Sequence, residues 1–136
     1  MDKKGYYIGL NNFVRMKLFK RDYYVTADPR DNSVTLSRDL LRRLRLGSQD
    51  SCKVMVVRLN AGGEYAFVVN PPVGTETPLA DMQYNARENC VGFECLVPTV
   101  NRIMYDYGLG HDEAVRLTVR ESVTDGGVVY YRMCRP

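Results

Sequence analysis

No run in this chain approaches the ~18 consecutive apolar residues of a membrane-spanning helix. The opening MDKKGYYIGLNN is charged with no apolar stretch behind the charge, so no secretory signal peptide is expected. Histidine is almost missing, His111 being the only one. The four cysteines, Cys52, Cys90, Cys95 and Cys134, form no CxxC knuckle, only one C-x4-C pair. A structural zinc site draws on paired short spacings. No metal is therefore expected, and the cysteines read as small buried hydrophobes in a reducing compartment. A phosphate-cradling glycine loop is also lacking, since the glycine pairs at 62–63 and 126–127 suit hairpin turns. The one cluster with acid–base potential is His111-Asp112-Glu113. Neighbours in a loop do not converge on a point, and no serine or cysteine nucleophile is identifiable beside the histidine. These absences point away from an enzyme and from a cofactor, and toward a protein of the cytoplasm.

At 136 residues the chain has the size of one ordinary domain. Its 45% hydrophobic and 26% charged residues match a soluble globular protein. The net charge of +3 is unevenly spread. Residues 1–70 hold 13 Lys/Arg against 7 Asp/Glu, a balance of +6, and residues 71–136 hold 6 against 9, a balance of −3. A basic half joined to a mildly acidic one points to an anionic partner for the first.

Val14, Met16 and Leu18 alternate with Arg15, Lys17 and Phe19, the period of a half-buried strand. KRD at 20–22 reads as a turn and YYVTA as the returning strand, which together make an N-terminal hairpin. DPRDN at 28–32 is dense in turn formers, and Val34 and Leu36 then mark a short strand. Ser37 is a good N-cap, with Asp39 in the first turn. Leu40, Leu41 and Leu44 share one side of a short helix that Gly47 should end. CKVMVVRL is apolar on both faces, as a buried strand would be. NAGG turns the chain, and EYAFVV returns. NPPVGTETP is a poor helix or central strand, so 71–90 is expected to link the halves 1–70 and 91–136 of one compact domain.

The order then recurs. FECLV is extended, and Pro98 suits a helix's first turn. Val100, Ile103, Met104 and Tyr107 form an i, i+3, i+4, i+7 stripe closed by Gly108. Val115, Leu117 and Val119 alternate, TDGG turns, and VVYYRM returns. RLRLGSQD at the first helix exit aligns with DYGLGHDE at the second, which suggests an internal duplication. The tyrosine pairs 6–7, 23–24 and 130–131 read as strand formers, not as a base-stacking platform, because adjacent rings on a strand point to opposite faces.

The arginines of the first helix, Arg38, Arg42, Arg43 and Arg45, lie off its leucine stripe and so face solvent. Any amphipathic surface helix carries such charges; here Arg30 and Asn32 in the preceding turn and Lys17, Lys20 and Arg21 in the first hairpin are further groups that could join them in one phosphate-neutralising patch.

Residues 23–69, YYVTADPRDNSVTLSRDLLRRLRLGSQDSCKVMVVRLNAGGEYAFVV, resemble the AbrB/MazE-type swapped-hairpin family of bacterial transition-state regulators and antitoxins. Val34, Leu36, Leu40, Leu44, Leu46, Asp50, Val54 and Val56 fall on its pattern. Residues 91–133 resemble the same pattern more faintly and supply its helix-start proline at Pro98. The resemblance implies a mostly β fold with two short helices (α+β): a cradle-loop, swapped-hairpin β-barrel built from two pseudo-repeats in one chain. It also implies a small transcription-regulator-like protein whose partner is duplex DNA. Arg42 falls on one of the family's helix arginines. The first-strand basic position falls on Thr26, the arginine ending the turn on Ser33, and the usual proline on Ser37. The expected DNA-binding set is Lys17, Lys20, Arg21, Arg30, Asn32, Arg38, Arg42, Arg43 and Arg45. The alternative is a non-catalytic protein-interaction module on the same barrel. In either case no membrane is involved, and the protein is a monomer with an internal pseudo-dimer or a homodimer.

Overall fold

The computed structural model describes residues 7–8, 14–17, 22–46, 52–59, 64–72, 79–85 and 90–136. Period-2 alternation accounts for the strands on either side of the DPRDN turn. In β3 (Tyr23–Asp28), Val25 and Ala27 are fully buried while Tyr24, Thr26 and Asp28 are half-exposed. The turn ends on Asn32, whose left-handed φ of 56° is one asparagine tolerates. β4 (Ser33–Leu36) then returns antiparallel with Val34 and Leu36 buried.

Helix α1 (Arg38–Leu44) starts as expected. The Ser37 hydroxyl accepts from the N–H of Leu40 at 3.3 Å, a cap of about 1 kcal/mol. Leu40 and Leu41 are buried, each side chain gaining roughly 1.5–3 kcal/mol from leaving water. The helix does not run to Gly47, which lies outside the described residues. Arg45 stops it by taking a left-handed conformation, φ 59° and ψ 40°. The N–H of Arg45 donates to Arg42 and that of Leu46 to Leu41, both at 3.1 Å, which is Schellman closure. A hydrophobic contact from the residue after the left-handed one commonly accompanies that closure, and Leu46 packs back on the core in that role.

β5 (Lys53–Leu59) and β6 (Tyr65–Val69) form the expected hairpin, although its NAGG turn lies outside the described residues. Within 71–90, read above as a linker, two short strands appear: β7 (Ala80–Asp81) on β5 and β8 (Gln83–Asn85) on β9. Existing sheet edges supply the hydrogen bonds that local propensity does not. β9 (Cys90–Glu94) begins three residues before FECLV and ends early, because Asn32 draws the carbonyls of Cys95 and Val97 out of the extended path. α2 (Thr99–Asp106) buries the expected stripe of Val100, Ile103, Met104 and Tyr107. It closes with the same pattern as α1, Gly108 at φ 69° holding the left-handed position. Pro98 gives it no side-chain cap; Asn32 Oδ1 accepts from the N–H of Val100 at 3.0 Å instead.

The strand expected from Val115 breaks at Arg120, sending β10 (Val115–Val119) into one sheet and β11 (Glu121–Asp125) into the other. Gly126 and Gly127, both at positive φ, turn β11 into β12 (Val128–Met133). The expected N-terminal hairpin also gives way. β2 (Val14–Lys17) pairs with β11, whereas β3 pairs with β4 and β10. Alternation specifies a strand's faces but not its neighbours.

Among the described residues there are two sheets. One has seven strands, β1 (Tyr7–Ile8)–β5–β6–β12–β11–β2 with β7 also on β5; the other has five, β10–β3–β4–β9–β8. Every pairing is antiparallel except β1 with β5. The sheets meet on two sides. Thr118 and Cys134 exchange backbone hydrogen bonds of 2.9 and 2.8 Å, and only Met82 separates β7 in one sheet from β8 in the other. Both helices and the inner faces share one core around Leu36, Phe67, Ile103 and Leu117. Met55, Val57, Leu59, Ala66, Val68, Val123 and Tyr130 form a second, on the other face of the larger sheet. β5 is thus buried on both faces, as its sequence indicates. No helix among the described residues is long and apolar enough to cross a membrane.

Candidate nucleic-acid interface

α1 is fastened at its start, where the N–H of Ser37 donates to the carbonyl of Tyr24 in β3 at 3.2 Å. Its buried leucines fix its rotation, so Arg38, Arg42, Arg43 and Arg45 are all exposed. Arg38 and Arg42 are one turn apart on α1, and Arg45 follows just past its end in the left-handed conformation; from Arg38 to Arg45 the backbone advances about 10 Å. Arg38, Arg42 and Arg45 have no ion pair among the described residues. Arg43 sits closer to Tyr131, whose phenol is pushed up by burial while the Arg43 charge opposes the rise.

Of the expected set, the described side chains of Arg30 and Asn32 stand apart from the α1 arginines. β4 separates the turn carrying Arg30 and Asn32 from the start of α1 by four residues, about 13 Å. Arg30 is clamped by Asp28, its Nε donating to Oδ1 at 3.0 Å and its Nη2 to Oδ2 at 2.9 Å. That hydrogen bond holds the Asp28 carboxyl below its ordinary range. The charges of Asp31 and Glu113 also act on the same guanidinium. Asn32 spends its amide on the start of α2 and is structural: Nδ2 donates to the carbonyls of Cys95 and Val97 at 2.9 and 2.6 Å. Lys17 ends β2 opposite Glu121, just past the Val119–Tyr23 pair, which places its backbone toward the α1 end. Lys20 and Arg21 lie outside the described residues.

Arg116, not in the expected set, lies on the outer face of β10 with its guanidinium 4.8 Å from the centre of the Tyr24 ring. The alternation of VRLTV announces that it points outward; nothing local announces Tyr24 as its neighbour. The other charged clusters hold the fold together. Arg132 is buried between Glu64 and Glu121. Burial alone would lower its guanidinium, but the hydrogen bond and charge of Glu64 outweigh that and hold it up. Asp106 on α2 accepts from the Tyr65 hydroxyl at 2.7 Å and lies 3.3 Å from Arg58 Nε, tying the helix to β5 and β6. Burial first, then this hydrogen bond, raises the Tyr65 phenol. His111 is exposed with Nδ1 3.2 Å from Asn101 Oδ1. Among the described residues no group of three His, Cys, Asp or Glu is placed to hold a metal ion. No family model matches the chain, and no curated protein or solved structure does so either.

Proposed function

We propose that this protein binds duplex DNA through the exposed arginines of α1, as a small cytosolic regulator-like protein built on a duplicated cradle-loop barrel. What carries the binding reading is the set Arg38, Arg42 and Arg45: three exposed cations with no ion pair among the described residues, two on a helix locked by its cap and its buried leucines and one at its exit. An exposed guanidinium without a carboxylate can replace the counterions of a phosphate. Pairing of the two pre-helix strands, β4 with β9, and the shared Schellman closures support the duplication. The Thr118–Cys134 bonds and the passage from β7 to β8 support the barrel. Four free cysteines fit a reducing compartment.

Fluorescence polarisation of a labelled random duplex at two salt concentrations tests the binding. The affinity of the wild type should fall by roughly 0.9 log unit per log unit of salt for each phosphate contacted. An Arg38→Gln/Arg42→Gln double variant should reduce that slope by about 2 while keeping its fold. Absence of binding at low salt, or binding indifferent to salt, would sink the proposal. One observation favours a protein partner instead: Leu96 and Tyr105, 65% and 78% exposed, stand just before and on α2. Loss of DNA binding together with capture at these residues would support that second reading.

A further inference from the structure

Among the described residues only three that are not glycine have positive φ: Asn32, Arg45 and Asn70. The two asparagines belong to a type that tolerates this region, and each uses its side chain to hold another part of the fold. Asn32 ties down the start of α2, and Asn70 Oδ1 accepts from the N–H of Lys53 at 3.1 Å. Arg45 has neither excuse. It is exposed, and its side chain has no hydrogen bond or ion pair among the described residues. At the matching position of α2 the chain places Gly108, which takes the same backbone without a Cβ penalty. A cation near a helix C-terminus does complement the helix dipole, but Arg42 and Arg43 already fill that role in the last turn.

We infer that Arg45 is a ligand-contacting residue, kept at a conformational cost because its guanidinium extends the α1 row past the helix end onto a further phosphate. This rests on the reading of α1 as a polyanion-binding surface and sharpens the class of ligand. Three separate cations spread over about 10 Å of backbone from Arg38 to Arg45 can neutralise more than one phosphate of a strand. The ligand is therefore a continuous phosphodiester backbone and not an isolated phosphate or nucleotide. Persistent left-handed strain at a non-glycine residue commonly marks such a functional demand.

The test pairs stability with binding in Arg45→Gly, Arg45→Asn and Arg45→Lys, using thermal melts and polarisation of a labelled random duplex across a salt series. Glycine should raise the melting midpoint by about 2–6 °C, because it relieves the left-handed cost. It should also lower duplex affinity about five- to tenfold at 0.1 M salt and make the salt slope shallower by about 0.9. Asparagine should lose the same binding, and lysine should keep most of the slope. A large excess of inorganic phosphate should compete no better than its ionic strength predicts. Overturning results are a glycine variant that binds like the wild type with an unchanged slope, one that gains no stability, or inorganic phosphate that displaces duplex stoichiometrically. In the first two cases salt-dependent binding by the wild type leaves the role of α1 standing. If the wild type itself shows no such binding, both fall together.

Discussion

An Asn32→Ala substitution removes three hydrogen bonds at once: two from Nδ2, to the carbonyls of Cys95 and Val97, and one to Oδ1, from the N–H of Val100. At a half-buried site each is worth about 1 kcal/mol net. Alanine must also adopt the φ of 56°, at a further cost of about 1 kcal/mol. The expected loss is about 3–4 kcal/mol, a large share of the 5–15 kcal/mol that keeps a typical domain folded. In urea, with a slope of about 2 kcal/mol/M, the unfolding midpoint should drop by about 1.5–2 M and the slope should hold. Asn32→Gly loses the same bonds but escapes the left-handed cost, so it should unfold about 1 kcal/mol later than alanine. Equilibrium unfolding followed by far-UV circular dichroism reads all three proteins. An alanine variant within ~0.5 kcal/mol of wild type, or a glycine variant no more stable than alanine, refutes the idea that Asn32 braces α2 from across the fold. A residue whose business was DNA would show the reverse pattern, with affinity lost and stability kept.

Tyr107→Phe should cost about 2 kcal/mol by thermal unfolding. Its hydroxyl accepts from the N–H of Tyr65 at 2.9 Å and donates to the carbonyl of Met133, cross-strand partners that would lose their bridge. Tyr105→Phe, at a 78% exposed position, serves as the control, and equal effects would refute the bridge. The Cys95 thiol is pushed up to about 12 by burial, with the Thr99 hydrogen bond opposing and the Glu94 charge adding. A raised thiol keeps its proton in the fold, so its contribution to stability is complete below the unfolded value of about 8.5 and is lost as pH climbs toward 12. Cys95→Ala should therefore flatten the stability loss between about pH 9 and 11, and native Cys95 should resist iodoacetamide at pH 8. Alkylation at the rate of a free thiol would contradict this.

The elements that sequence announces are those whose causes are local. The hydroxyl of Ser37 caps α1, four apolar residues at helical spacing bury α2, and two glycines turn β11 into β12. What it leaves unsaid is set by distant partners. β3 meets β10 and β4 meets β9 across the 71–90 stretch, and no periodicity names the opposite strand. Arg45 hides as the helix stop because arginine is a good helix former and Gly47 stands two residues on. Within the site, exposure of the helix arginines follows from the leucine stripe. The clamp of Asp28 on Arg30 and the internal use of Asn32 do not, since both depend on how the turn docks.

The interleaving of the halves gives the chain a timetable. β4 is complete at Leu36, yet its partner β9 starts only at Cys90, and β2 ends at Lys17 while β11 starts at Glu121. At roughly 5–20 residues per second on the ribosome, those strands emerge seconds to tens of seconds before the segments that cover them. A nascent first half therefore presents open edges and apolar faces to its surroundings, and a fragment cut within 71–90 would keep them open for good. Strand order alone therefore makes the order of synthesis a condition of reaching the native state, separate from how stable that state is.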